Sequence, residues 1–189
     1  MEPILVKIED LPTAIQEVLD KNCEGIWCLG NCDLLKSRAL SFCGSRKASE
    51  KGLDTAYKCA KQAVEHDLVC ISGNAAGIDR NIHLAALDAG GASIFVLPEG
   101  IDVFRPRREL RPLWNWEKCL VISQFERNAK WQVWRAMKRN ELIIALGMAM
   151  IVIEAGETGG THKAAQQALK MGKPLFAIDY DIPVSGNQA

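Results

Sequence analysis

Six short apolar runs, separated by stretches of helical spacing, constrain this chain more than any other feature. They are Ala39–Cys43, Leu68–Ile71, Ser93–Leu97, "LVIS" at 120–123, Met148–Ile153 and "PLFAI" at 174–178. After the first run, Ser49 is placed to cap a helix in which Leu53, Ala56, Tyr57, Ala60, Ala63 and Val64 recur at three- and four-residue intervals. After the second, Ile78, Ile82, Ala85, Ala86 and Ala89 form another such face, ended by glycines 90 and 91. A further helix is expected to run through Met171. Runs apolar on both faces and alternating with helices make a parallel sheet covered on both sides, so the chain is expected to be a doubly wound α/β protein.

Ligands of such sheets bind beyond the carboxyl ends of the strands. Glycine-bearing turns fall there three times: Gly44 after the first run, Gly73 and Gly77 after the second, and Gly156, Gly159 and Gly160 after the fifth. Glycine tolerates positive φ and lets a ligand approach the backbone, and a turn that feeds a helix leaves N–H groups free for an anion. None of the three is a GxGxxG, which disfavours the usual dinucleotide mode. In "GSRKAS", Ser45, Arg46 and Lys47 stand just ahead of a helix start. Arg139 and Asn140 add a second cation beside an amide, and "TGGT" (Thr158 to Thr161) with Lys163 offers a third cradle.

Lys and Arg total 23, as do Asp and Glu, so attraction for a polyanion must come from uneven placement. Between residues 105 and 139 ten cations face only Glu109, Glu117 and Glu126, and Trp114, Trp116, Trp131 and Trp134 lie among them. Cations interleaved with aromatics suit a single-stranded nucleic acid. The plainer reading makes the tryptophans anchors of an irregular loop and the arginines its rim; it is preferred for the tryptophans, and phosphate contact is preferred for the cations. Asp79 reads as a helix cap and His83, one turn along, as a satisfied half-buried histidine. Glu154, ending the fifth run, is the best general-base candidate. No nucleophile with a plausible base is evident, so binding without catalysis is expected.

No cofactor or metal is expected either. Cys23, Cys28 and Cys32 lack zinc-site spacing and a nearby histidine; no N-terminal stretch reads as a signal peptide, so the seven cysteines are expected to be reduced thiols. No segment reaches the ~20 apolar residues of a membrane helix, and a cytoplasmic protein is expected. Residues 1–38 stand outside the alternation as a lead-in packing on the core, with a short helix at Leu11–Leu19 and a strand and turn in "IWCLGNCDLL". Residues 39–180 form the main domain, and 181–189 a frayed tail.

"CGSRKAS", "SGNAAGID" followed by His83, "IFVLPEGIDVFRP", "KRNELIIAL" and "IVIEAGETGGTHKAA" stand in the order and spacing of the DprA/Smf family of DNA-processing proteins. The chain resembles that family over roughly residues 10–179. The resemblance implies an extended Rossmann-like domain in three α/β/α layers that binds single-stranded DNA in a basic pocket at the sheet edge. It implies partners as well: a RecA-type recombinase loaded during natural transformation, and a second copy in a homodimer. Matching positions are Arg46, the Arg139–Asn140 pair, Gly159, and Ser72, Gly73, Gly77 and Asp79. Glu141 stands where the family commonly has arginine, "TGGT" replaces a turn usually begun by serine, and the segment before Arg139 lacks the usual Phe-Pro. An alternative is an enzyme of the lysine-decarboxylase-like phosphoribohydrolase type, with Arg46 and "TGGT" holding a nucleoside monophosphate and Glu154 assisting glycosidic cleavage. A third reading is an interaction module that keeps the sheet without its ligand.

Overall fold

The apolar runs pair into one eight-stranded sheet in the computed structural model, which describes residues 1–180. The expected frayed tail lies outside the described residues. The strands are β1 (Ile4–Lys7), β2 (Gly25–Gly30), β3 (Ala39–Gly44), β4 (Val69–Ser72), β5 (Ser93–Val96), β6 (Cys119–Ser123), β7 (Met150–Ile153) and β8 (Leu175–Ala177). Their order is β1-β2-β6-β5-β4-β3-β7-β8. From β6 to β8 every neighbouring pair is parallel, while β1 and β2 add an antiparallel flank. This is the mostly parallel, Rossmann-like α/β plan expected. Every residue of β4, β5 and β6 is buried, which is why those segments are apolar at consecutive positions.

The helices are α1 (Thr13–Gln16), α2 (Glu50–Glu65), α3 (Ile78–Asp88), α4 (Val133–Leu146) and α5 (Gly160–Lys170). Along β3 the side chains alternate between layers: Phe42 packs with α2 and α3, whereas Cys43 packs with the residues of α4 and α5. Ala56, Ala60 and Ala63 of α2 and Ala85 and Ala86 of α3 share one cluster, small residues that let the two helices approach closely. Trp114 and Trp116 close a further cluster over β5 and β6 with Phe95, Phe104 and Leu110. For this pair the anchoring reading is correct.

Three elements differ from expectation. The helix expected at 11–19 is one turn, Thr13–Gln16. Residues 4–7 form a strand, paired on one side only among the described residues, with Leu5 opposite Trp27. Val133–Leu146 is a four-turn helix where no helix was read, because Arg139 interrupts its buried stripe of Ala136, Leu142 and Ile143. No helix among the described residues is long and apolar enough to cross a membrane. All seven cysteines are free, and among the described residues no group of three His, Cys, Asp or Glu is placed to hold a metal.

Chain order fixes where a ligand fits. From β3 the chain builds outward through β4, β5 and β6, then α4 carries it back to β7 on the other side of β3. The connections therefore diverge at the carboxyl ends of β3 and β7, the switch point of an open α/β sheet. There Gly44 lies opposite Ile153, and Ser45 N–H donates to the Glu154 carbonyl at 3.0 Å.

Candidate functional site

A hollow of about 620 Å³ opens at this switch point. The loop after β3 contributes Ser45, Arg46 and Lys47, and α4 contributes Arg139 and Asn140. The turn after β7 and the start of α5 contribute Thr158, Gly159, Gly160 and Lys163. Nine residues expected at the site from sequence thus line one cavity. Four cations face it against a single lining carboxylate, Asp79.

The loop after β3 is held from both sides. Besides the bond to Glu154, the Ser45 carbonyl accepts from Ile78 N–H at 3.1 Å, which joins it to the start of α3. Ser45 Oγ accepts from Lys47 N–H at 3.1 Å, a local turn that leaves both neighbouring cations exposed. Gly77, at φ +76°, packs beneath: a Cβ there would lie 2.2 Å from the Ser45 carbonyl oxygen.

Arg139 is the unusual member. It is only 5% exposed, and its Nε and Nη1 have no hydrogen-bond partner among the described residues. Its nearest carboxylate oxygen, Asp79 Oδ2, is 3.9 Å from Nη1. Burial pulls its pKa down from the usual arginine value, opposed by the negative charges of Asp79 and Glu99. A buried charged donor without a partner costs at least about 1–3 kcal/mol, and an anion entering the hollow offsets that cost.

Ser72, Gly73 and Gly77 lie behind the hollow rather than on its lining. Ser72 Oγ donates to the Phe42 carbonyl at 2.8 Å and is fully buried. A Cβ on Gly73 would fall 1.6 Å from Arg139 Nη1. The glycines after β4 therefore make room for a guanidinium and for the neighbouring loop, and neither lines the hollow. His83, 1% exposed, has Nε2 2.6 Å from the Gly73 carbonyl and Nδ1 2.7 Å from Ser93 Oγ, and it stacks on Phe95. It is satisfied as expected, but fully buried in the core rather than half-buried. Asp79 accepts from Ala75 N–H at 3.3 Å as well as facing Arg139.

The helix that offers its N-terminus is not the one after "GSRKAS". At the start of α2, Ser49 Oγ accepts from Gly52 N–H at 3.0 Å. The Glu154 carboxylate takes Ser49 N–H at 2.9 and 3.0 Å and Ser49 Oγ–H at 2.7 Å. An internal carboxylate thus fills the position an external anion would take. Glu154 is 1% exposed and off the lining, which removes it as a general base for a substrate in the hollow. The start of α5 is different. Among the described residues, Gly159, at φ +113°, has no side-chain cap, and a Cβ on Gly159 or Gly160 would meet nothing within 4 Å.

Most of the cations between 105 and 139 serve the fold. Arg107 donates to the Asn74 carbonyl, Lys118 to that of Gly90, and Arg127 pairs with Asp102. Lys138 binds Asp20 at 3.0 Å and Glu141 at 2.9 Å, so the acidic residue beside the site is neutralised by its neighbour. Only Arg139 of the ten lines the hollow. Trp131, just before α4, and Val133, its first residue, line it too; Trp131 is half exposed, so the anchoring reading preferred for the tryptophans does not hold for it.

Fold and hollow together define a doubly wound α/β protein with a cationic cavity at its switch point. The chain matches the family model of DNA recombination-mediator protein A over residues 3–189 and belongs to that family. DNA processing protein DprA of Streptococcus pneumoniae is 36% identical over 151 residues, 79% of this chain and 53% of that protein. The chain spans about half the length of the curated relatives it matches. The X-ray structure of that streptococcal protein superposes with a TM-score of 0.84 at 30% identity, covering 97% of this chain and 65% of the other. DNA processing protein A of Helicobacter pylori, which binds single-stranded DNA, shares the fold with a TM-score of 0.82 at 22% identity, over 96% of this chain and 82% of its own.

Proposed function

We propose that this chain binds single-stranded DNA through the switch-point hollow and acts as a recombination mediator of the DprA kind. One observation carries the reading: Arg139, buried and without a hydrogen-bond partner at two nitrogens among the described residues, borders a cavity that also holds Arg46, Lys47, Lys163 and the uncapped start of α5. A phosphodiester supplies the acceptor oxygens this set lacks. Ser45, Asn140, Thr158, Gly159 and Gly160 complete the contact surface. Its action is binding, in the cytoplasm, as a homodimer that hands the strand to a RecA-type recombinase. Family membership and the DNA-binding relative support this reading, and the commitment of Glu154 to Ser49 weighs against the hydrolase alternative.

The test is a titration of fluorescently labelled single-stranded and duplex oligonucleotides at low salt, followed by anisotropy. Single strands are expected to bind with little regard to sequence, and duplexes much more weakly. If no single-stranded oligonucleotide binds, the proposal is wrong.

A further inference from the structure

Four of the five tryptophans are occupied. Trp114 and Trp116 pack edge-to-face with ring centroids 5.1 Å apart within the core, Trp134 meets Phe125 and Arg135, and Trp27 lies under Arg127. Trp131 has no ring or cation partner among the described residues, is 50% exposed, and lines the hollow that Arg46 and Arg139 also line. Beside it Val133 is 68% exposed and lines the same cavity. A site for phosphate alone needs neither this apolar wall nor a volume of about 620 Å³.

We propose that Trp131 is a stacking platform for an unpaired nucleobase, so that the hollow takes a base together with its phosphate. This inference rests on the single-stranded DNA reading and deepens it. An aromatic face accepts any base, because every base has a π-face, and it can do so only when the base is free of its duplex partner. Cations and an indole on the lining of one hollow match the two ends of a nucleotide. Val133 covers the edge of the stacked ring from water.

The test compares an oligothymidylate with an abasic oligonucleotide of equal length, both single-stranded, against the full chain and its Trp131→Ala and Trp131→Phe variants. Wild type is expected to bind the base-bearing strand about 5- to 160-fold more tightly, the span one stacked base gives. Trp131→Ala should lose most of that preference while binding the abasic strand as wild type does, and Trp131→Phe should keep much of it. Equal wild-type binding of both strands overturns this inference and leaves phosphate recognition intact. Retention of the full preference by Trp131→Ala also overturns it. Failure of both strands to bind wild type overturns it together with the proposed function. The wild-type comparison needs no variant to fold, and Trp131 is exposed enough for its truncation to spare the core.

Discussion

Gly73 and Arg139 form a pair in which one residue exists to accommodate the other. The space a Cβ would occupy on Gly73 is filled by the guanidinium, and Asp79 Oδ2 lies only 2.5 Å from the same point. Gly73→Ala therefore has two outcomes to combine: overpacking costs about 1–3 kcal/mol, and a displaced guanidinium no longer serves the hollow. We expect a lower urea midpoint and loss of oligonucleotide binding. Adding Arg139→Ala to Gly73→Ala should cost less stability than Arg139→Ala alone costs wild type, because the clash is gone; additive effects in this cycle would refute the account. His83 makes a second prediction at this scale. Burial pushes its pKa from 6.5 down to about 3, so the native state holds the ring neutral while the unfolded chain takes up a proton below pH 6.5. Its contribution to stability is complete above pH 6.5 and is lost as pH falls toward 3. Denaturation at a series of pH values should show a shallower fall between pH 6.5 and 4 in His83→Gln than in wild type, and parallel slopes would count against it.

At the scale of elements, the Glu154 clasp ties β7 to the start of α2 and explains a backbone feature: Glu154 sits at φ +55°, a left-handed conformation uncommon for a non-glycine residue. Three charge-assisted contacts to Ser49 hold it there. Glu154→Gln keeps the shape, removes the charge and is expected to destabilise the fold by about 1–2 kcal/mol in urea denaturation, leaving oligonucleotide affinity of the folded protein unchanged. A large loss of affinity at unchanged stability would instead place Glu154 in the site. The clasp was not legible in the sequence, since nothing local links positions 49 and 154. β3, β4 and β5 were legible because burial on both faces writes itself as consecutive apolar residues. β1 was not, because among the described residues it is paired on one side only and Ile4 is 53% exposed. In α4 the position that the periodicity reserves for an apolar side chain holds Arg139. The residue that hides the helix from pattern reading is the one that the hollow requires. The glycine turns were visible as turns, but whether a glycine makes room for a ligand or for an internal arginine depends on contacts across the sheet.

For the whole molecule, a net charge of zero means that long-range attraction for nucleic acid is weak and that binding must come from the few cations gathered at one place. Arg46, Lys47, Arg139 and Lys163 line the hollow, whereas Arg107, Lys118, Arg127 and Lys138 are held in internal bonds. If each of the four lining cations neutralises one phosphate, counterion release from a single strand gives a slope of log K against log salt of about −3, from roughly −0.7 per phosphate. A uniformly basic binder would show a steeper dependence and comparable affinity for duplex DNA. Arg46→Ala should make the slope shallower by about 0.7 and weaken all sequences alike, since a phosphate contact carries no base information. Arg127→Ala, which removes a cation paired with Asp102 outside the hollow, should leave the slope where it was. Anisotropy titrations at four or more salt concentrations separate these outcomes. Equal slopes for wild type and Arg46→Ala would mean that the strand lies elsewhere on the molecule.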